Sequence, residues 1–297
     1  MKNFTAKLIN IEETKFPIIK AAFKGKDGKI YIGFMIIDTG SVNCILNKYV
    51  LPYLDDSAVI EGKKKKIYSV QDKSMECQGY SLSFRIGNGK FSDTFYVNMD
   101  MDFDQMLNCP FIGIIGHEFL RNNNIVLDYE TETLHDSTGS IEVNPEDYEF
   151  LFPMSFGLNQ YNIPVVGLVY GDKKYLMVAD SGANDTVITK HLMDEAGICV
   201  KHLGNDGTLT CFSTDTLETS LYDVTLSIFS LGGTSECPKL YTKHDKAQVI
   251  GNCQHIMEGL KDADGNDLMP VSGLLSSEFM HRNKWVLDFG TCVMYQR

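Results

Sequence analysis

The chain contains the same unit twice. Gly33-Phe-Met-Ile-Ile-Asp38-Thr-Gly-Ser41 reads like Tyr175-Leu-Met-Val-Ala-Asp180-Ser-Gly-Ala183. In both places an apolar run enters Asp-(Thr/Ser)-Gly-(small), and the two aspartates are 142 residues apart. The same offset sets Ile45 on Val187, Leu46 on Ile188, Val50 on Leu192 and Leu82 on Val224. A second block, Gly113 to Asp128, aligns without a gap on Gly273 to Asp288 at an offset of 160, so copy two carries 18 extra residues between its blocks, within 232–270. Upstream, Pro17-Ile-Ile-Lys-Ala-Ala-Phe23 resembles Pro164-Val-Val-Gly-Leu-Val-Tyr170. Three blocks in one order restrict the chain to an architecture that occurs twice, in units of roughly 140 residues. A length of 297 residues accommodates two such domains, placed at 1–145 and 146–297 with a polar, turn-rich linker inside 137–160.

Each unit reads as β-rich. Tyr80-Ser-Leu-Ser-Phe-Arg-Ile86 and Tyr222-Asp-Val-Thr-Leu-Ser-Ile228 alternate apolar and polar residues, the period of a half-buried strand. Asp27-Gly28, Asn88-Gly89 and Gly232-Gly233 signal turns, because these residues adopt positive φ at little cost. Glu118 to Asn122 and Glu278 to Arg282 suit short helices, and His191 to Ala196 suits a helix stopped by Gly197. The expected class is all-β, mainly strands with a few short helices.

The formal charge of −12, from 39 acidic against 27 basic residues, argues against nucleic acid as a partner. No apolar run reaches the roughly 18 to 20 residues of a membrane span. The N-terminus has no apolar stretch of the secretory kind, so a cytoplasmic protein acting away from membranes is expected. Eight cysteines form no C-x-x-C pair and seven histidines no H-E-x-x-H. The expectation is therefore no metal, no cofactor, and reduced, mostly buried thiols.

A single Asp-Thr-Gly is compatible with an ordinary turn after a strand. Two of them, each after an apolar strand and each at the same place in a repeated unit, carry more. Packing the units about a pseudo-twofold axis brings equivalent loops together, so Asp38 and Asp180 would face each other. Two carboxyl groups at contact distance cannot both ionise easily; one keeps a proton and the pair titrates as a unit. The ionised member can take a proton from water and the protonated member can polarise a carbonyl. Thr39 and Ser181 offer hydroxyls to hold the loops across the axis, and Gly40 and Gly182 let backbone N–H groups approach the carboxylates.

These motifs, with Ile114-Ile-Gly-His-Glu-Phe-Leu120 behind the first and, more loosely, Leu274 to Met280 behind the second, resemble the aspartic proteases. The resemblance covers nearly the whole chain, one retropepsin-like unit per half in the bilobal arrangement of the pepsin family. It implies two closed β-barrel lobes related by a pseudo-twofold axis, with Asp38 and Asp180 catalytic. The supporting loop residues would be Thr39, Gly40, Ser41, Ser181, Gly182 and Ala183. A water held by the dyad and a hairpin flap over an extended peptide are also implied. The substrate would be a peptide or unfolded protein, and the enzyme a monomer with pseudo-dimeric lobes. Tyr68, in the stretch Lys66 to Glu76, stands where a flap tyrosine is expected; copy two has Thr210 there, which implies an asymmetric flap.

Ser276 replaces the glycine of the second supporting motif, and with the unusual flap it motivates a different reading: a peptide-binding module of the same fold with weak or no turnover. A structural or dimerising domain is a third reading, which widely separated Asp38 and Asp180 would favour. Of the lesser signals, Lys63 to Lys66 read as a solvated hairpin and Asp262 to Asp267 as an exposed turn without the spacing of a calcium loop. Cys44 reads as a small buried hydrophobe, and His117 and His281 as helix-surface residues.

Overall fold

Strands form where the apolar alternation predicts them. Ile18–Lys24 turns at Asp27-Gly28, with Gly28 at a φ of 78°, into Ile30–Asp38. Along that second strand Met35 and Ile37 enter the main core, whereas Phe34 and Ile36 pack in a separate apolar cluster on the opposite face, the face that Asp38 shares by alternation. In this computed structural model the described residues are 4–9, 15–68, 74–97, 110–139, 144–154, 162–210, 216–233, 238–251 and 257–297.

From Ile30–Asp38 the first sheet continues through Phe111–Gly116, Cys44–Leu46, Gly89–Val97 and Ser74–Ile86, and the last of these pairs back onto Ile18–Lys24, with Ala21 opposite Ile86. Six strands thereby close a barrel. Copy two closes in the same order: Val165–Tyr170, Lys173–Ala179, Asp267–Leu275, Thr186–Thr189, Pro238–Ile250 and Thr216–Gly233, with Leu168 opposite Ile228. The protein is mostly β, with two closed six-stranded barrels and few short helices. Closure leaves few unpaired strand edges to cover. Each barrel extends a hairpin, Val59–Tyr68 on Ser74–Ile86 in copy one and Cys199–Thr210 on Thr216–Gly233 in copy two.

A third sheet joins the lobes. Ile125–Asp128 of copy one pairs antiparallel with Val286–Asp288 of copy two, and Leu127 lies opposite Leu287. These two leucines are repeat equivalents, so the pseudo-twofold axis passes between them; both are fully buried. Thr5–Lys7 and Thr133–Asp136 extend this sheet on one side, Val293–Gln296 and Phe150–Pro153 on the other. The main apolar core runs through it from barrel to barrel.

The structure refines the sequence reading in three places. The linker region carries the strand Phe150–Pro153, whose Phe150 stacks on Trp285 at a centroid distance of 4.4 Å. The polar run Ser137 to Pro145 dominates that region's composition and masks three buried residues, Phe150, Leu151 and Phe152. The hairpin expected at Asn88-Gly89 turns one residue earlier: Ile86 is opposite Gly89, and Gly87 takes the positive φ of 52°. The third concerns the extra length in copy two. It builds secondary structure, including the strand Met257–Lys261 against Asp267–Leu275.

The helix at 191–197 forms as expected, spanning Lys190–Ala196. Thr189 Oγ1 accepts from the N–H of Leu192 at 3.2 Å, and Gly197 ends it in the left-handed region at a φ of 62°. Among the described residues no helix is long and apolar enough to cross a membrane.

Candidate active site

Each Asp-(Thr/Ser)-Gly loop leaves the end of a central barrel strand that a parallel neighbour supports. Asp38 ends the strand Ile30–Asp38, paired with Gly116, and the N–H of Asp180 donates to the Leu275 carbonyl at 2.9 Å. Because the strands are related across the axis, their loops meet. Asp38 is buried at 7% exposure, while Asp180, Gly40 and Gly182 keep partial exposure, which opens the pair to solvent on one side.

Four reciprocal hydrogen bonds lock the loops. The N–H of Thr39 donates to Ser181 Oγ at 2.9 Å, and the N–H of Ser181 donates to Thr39 Oγ1 at 2.9 Å. Each hydroxyl then passes its proton to a strand of the other lobe: Thr39 Oγ1 to the Ala179 carbonyl, and Ser181 Oγ to the Ile37 carbonyl at 2.7 Å. Both side chains are fully buried. Losing either hydroxyl would leave buried main-chain groups without partners, the costly case for a hydrogen bond.

The glycines are fixed by proximity. A Cβ on Gly182 would lie 2.3 Å from Asp38 Cγ, and one on Gly40 would lie 2.5 Å from Asp180 Cγ. Each glycine thus carries the peptide plane that faces the opposite carboxyl. On their own loops, Ser41 N–H donates to Asp38 Oδ1 at 3.0 Å and Gly182 N–H to Asp180 Oδ1 at 2.8 Å. Ala183 closes the second turn, its N–H donating to the Asp180 carbonyl at 3.3 Å.

Asp38 and Asp180 share a hydrogen bond. Burial, the adjacent Asp180 charge and that hydrogen bond hold the Asp38 carboxyl well above the usual carboxylate range. Burial also raises Asp180, against the lowering pull of the Gly182 N–H, of Asp38 and of the Ala183 and Gly40 N–H groups. The two carboxyls therefore hold one proton between them and titrate as a unit. One proton donor and one acceptor stand side by side, the arrangement that concerted proton transfer needs.

Ser276 does not distort the site. Its backbone, at φ −75° and ψ 163°, matches Gly116 at φ −84° and ψ 167°. Its hydroxyl caps the helix Ser277–Arg282 by accepting from the Phe279 N–H at 3.1 Å, a cap that Gly116 cannot give to the helix His117–Asn122. Tyr68 ends its hairpin strand with its backbone opposite Ser74, and Thr210 stands opposite Thr216 in the matching hairpin of copy two. Both lobes therefore carry the hairpin with the same terminal pairing. The residues between those pairs lie outside the described ones.

The lysine run lies on the first hairpin. Lys64 pairs with Glu76 at 2.8 Å, and Lys65 is tied to the loop after Asp38 by donating to Asn43 Oδ1 at 2.7 Å. Cys44 is buried, its Sγ 3.6 Å from Asp93 Oδ2, and burial pushes its thiol up. The turn at Asp262 is closed by its own carboxylate, which accepts from the N–H groups of Asp264 and Asn266. Among the described residues no group of three or more His, Cys, Asp and Glu side chains is placed to hold a metal ion.

His117 is not a helix-surface residue. It is fully buried, with Nδ1 3.1 Å from the Ser41 carbonyl, and burial lowers its pKa to about 4. His281 is half-exposed and reaches Glu132 Oε1 at 3.3 Å. Sequence reasoning also missed Tyr129 and Ser277, which meet beneath the dyad at 2.9 Å. A signal was present: at the offset of 160 Tyr129 aligns with Phe289 and Ser277 with His117, so neither side chain is kept in the other copy.

Two closed six-stranded barrels in tandem fit the bilobal arrangement of pepsin-like folds. No protein-family model matches the chain, and no curated protein is significantly similar to it.

Proposed function

We propose that the protein is an aspartic endopeptidase that hydrolyses peptide bonds in a peptide or unfolded protein. One observation carries this reading: Asp38 and Asp180, one from each repeat, share a hydrogen bond in a partly open site at the junction of the barrels. Ionised Asp180 takes a proton from a water molecule as its oxygen adds to the scissile carbonyl. Asp38 gives its proton to the carbonyl oxygen. Collapse of the tetrahedral adduct then moves the proton on Asp180 to the departing amine nitrogen, and the oxyanion proton returns to Asp38. Metal and cofactor take no part in this scheme.

The binding-module reading drew on Ser276 and on the unusual flap; the Ser276 backbone matches its glycine counterpart, which removes the first of these grounds. Widely separated carboxyls would have favoured the structural-domain reading, and Asp38 and Asp180 are adjacent.

The test is cleavage of an unfolded protein by the intact chain and by Asp38→Asn and Asp180→Asn. Each substitution should abolish hydrolysis, and a statine-type inhibitor should compete with substrate. Undiminished cleavage by either variant would overturn the proposal.

A further inference from the structure

The dyad is nearly symmetric, but what lies beneath it is not. Tyr129, at the end of copy one, reaches across the axis to Ser277 of copy two, hydroxyl to hydroxyl at 2.9 Å. Ser277 Oγ donates its single proton to the carbonyl of Lys15, which belongs to copy one. Tyr129 is therefore the donor in the contact with Ser277. Lys15 makes a second tie, to the Asp180 loop, its N–H donating to Asn184 Oδ1 at 3.1 Å. Copy one thus grips the Asp180 loop at Asn184 and at the neighbouring Ser277.

The matching positions of the repeat do not carry these groups. The equivalent of Tyr129 is Phe289, which has no hydroxyl, and the equivalent of Asn184 is Val42, which has no acceptor. Val42 instead packs against the apolar cluster of copy two. His117, the equivalent of Ser277, bonds within its own lobe to Ser41.

We propose that Tyr129 is a positioning residue that, with Ser277 and Lys15, holds the Asp180 loop rigid from the opposite lobe and so fixes where Asp180 stands in the dyad. The proposal rests on the aspartic-peptidase reading for its kinetic consequences only. The titratable groups that act on this loop are Asp38 across the axis, Tyr129 beneath, and Asp185 on the loop itself, whose carboxyl is raised by burial and by the Glu278 and Asp245 charges. Without the latch, Asp180 is held less firmly against the Gly182 N–H and gains affinity for a proton.

Tyr129→Phe tests this, because it installs the residue found at the matching position of copy two and keeps the ring. Expected are a folded protein, a kcat reduced about tenfold with KM unchanged, as for a small misplacement of a reacting group, and an acid limb of the kcat profile moved to higher pH. Ser277→Ala should reproduce these effects, and the double variant should be no worse than either single one, because the two groups act as a unit. A wild-type kcat and pH profile in Tyr129→Phe, or a loss confined to thermal stability, would overturn the proposal. Carboxyl carbon NMR of aspartate-labelled protein reads the dyad without turnover, with Asp38→Asn and Asp180→Asn giving the assignments. An Asp180 titration moved upward in Tyr129→Phe supports the latch even if no peptide is cleaved, in which case only the peptidase reading fails. An unmoved titration refutes the latch even if peptide is cleaved.

Discussion

Gly182 sits so close to Asp38 that a Cβ there would lie 2.3 Å from the carboxyl carbon, and Gly40 stands in the same relation to Asp180 at 2.5 Å. The contact is with a carboxyl that hydrogen bonds on two sides, so it cannot swing away freely. Gly182→Ala should therefore displace Asp38 and lower kcat/KM by about 100-fold or more, the scale of an ångström-sized misplacement. Steady-state kinetics beside a thermal melt checks this: activity should fall far more than stability.

Ser181→Ala removes an acceptor from the Thr39 N–H and a donor from the Ile37 carbonyl, both buried. Two orphaned groups cost roughly 2–4 kcal/mol together. Urea unfolding should show a lower midpoint. Thr39→Ala should cost a similar amount, because its bonds to Ser181 and Ala179 are the mirror set.

The dyad itself destabilises the fold at neutral pH. The Asp38 carboxyl binds its proton more tightly folded than unfolded. Its contribution is therefore most favourable below the unfolded value of 3.8 and is lost as pH rises from there through the raised folded value. Asp38→Asn should consequently raise Tm at pH 7 by a few degrees, and by less at pH 3, while abolishing hydrolysis. Calorimetry at the two pH values distinguishes this from a uniform shift.

His117 contributes with the opposite sign. Its pKa falls from 6.5 to about 4 on folding, chiefly through burial and then through the Arg121 charge. Stability from this group is complete above 6.5 and is lost as pH falls toward about 4, by on the order of 3 kcal/mol. His117→Asn should flatten the stability profile across that window, as measured by denaturant unfolding at a series of pH values.

Gly116 and Ser276 occupy equivalent turns, yet exchange should not be symmetric. A Cβ on Gly116 would meet the Asn43 carbonyl oxygen at 2.6 Å, so Gly116→Ser should destabilise copy one and disturb the Asp38 loop. Ser276→Ala removes a helix cap, worth about 1 kcal/mol, together with a buried 3.2 Å contact to Thr186 Oγ1, and should leave kcat unchanged.

Much of the architecture was legible because it repeats. The two Asp-(Thr/Ser)-Gly motifs, the Gly113 and Gly273 blocks and the alternation around Leu82 and Val224 each mark strand, loop or helix locally. Phe150 to Phe152 escaped notice because a short strand inside a polar segment has no periodicity of its own. The burial of His117 escaped because a helix of six residues is too short to show which face is covered. Tyr129 and Ser277 were invisible as a pair, since 148 residues separate them.

The amino-acid sequence determined two like units, their strands, and one carboxyl loop in each. Those follow from side-chain alternation and turn chemistry, which act over a few residues. The tertiary structure decided that the two carboxyls share one buried site and a raised proton affinity, that Gly40 and Gly182 are sterically required, and that copy one ties down the Asp180 loop through Lys15 and Ser277. Each of these depends on burial and on hydrogen bonds between lobes, and such contacts exist only once both barrels have closed and packed about their common axis.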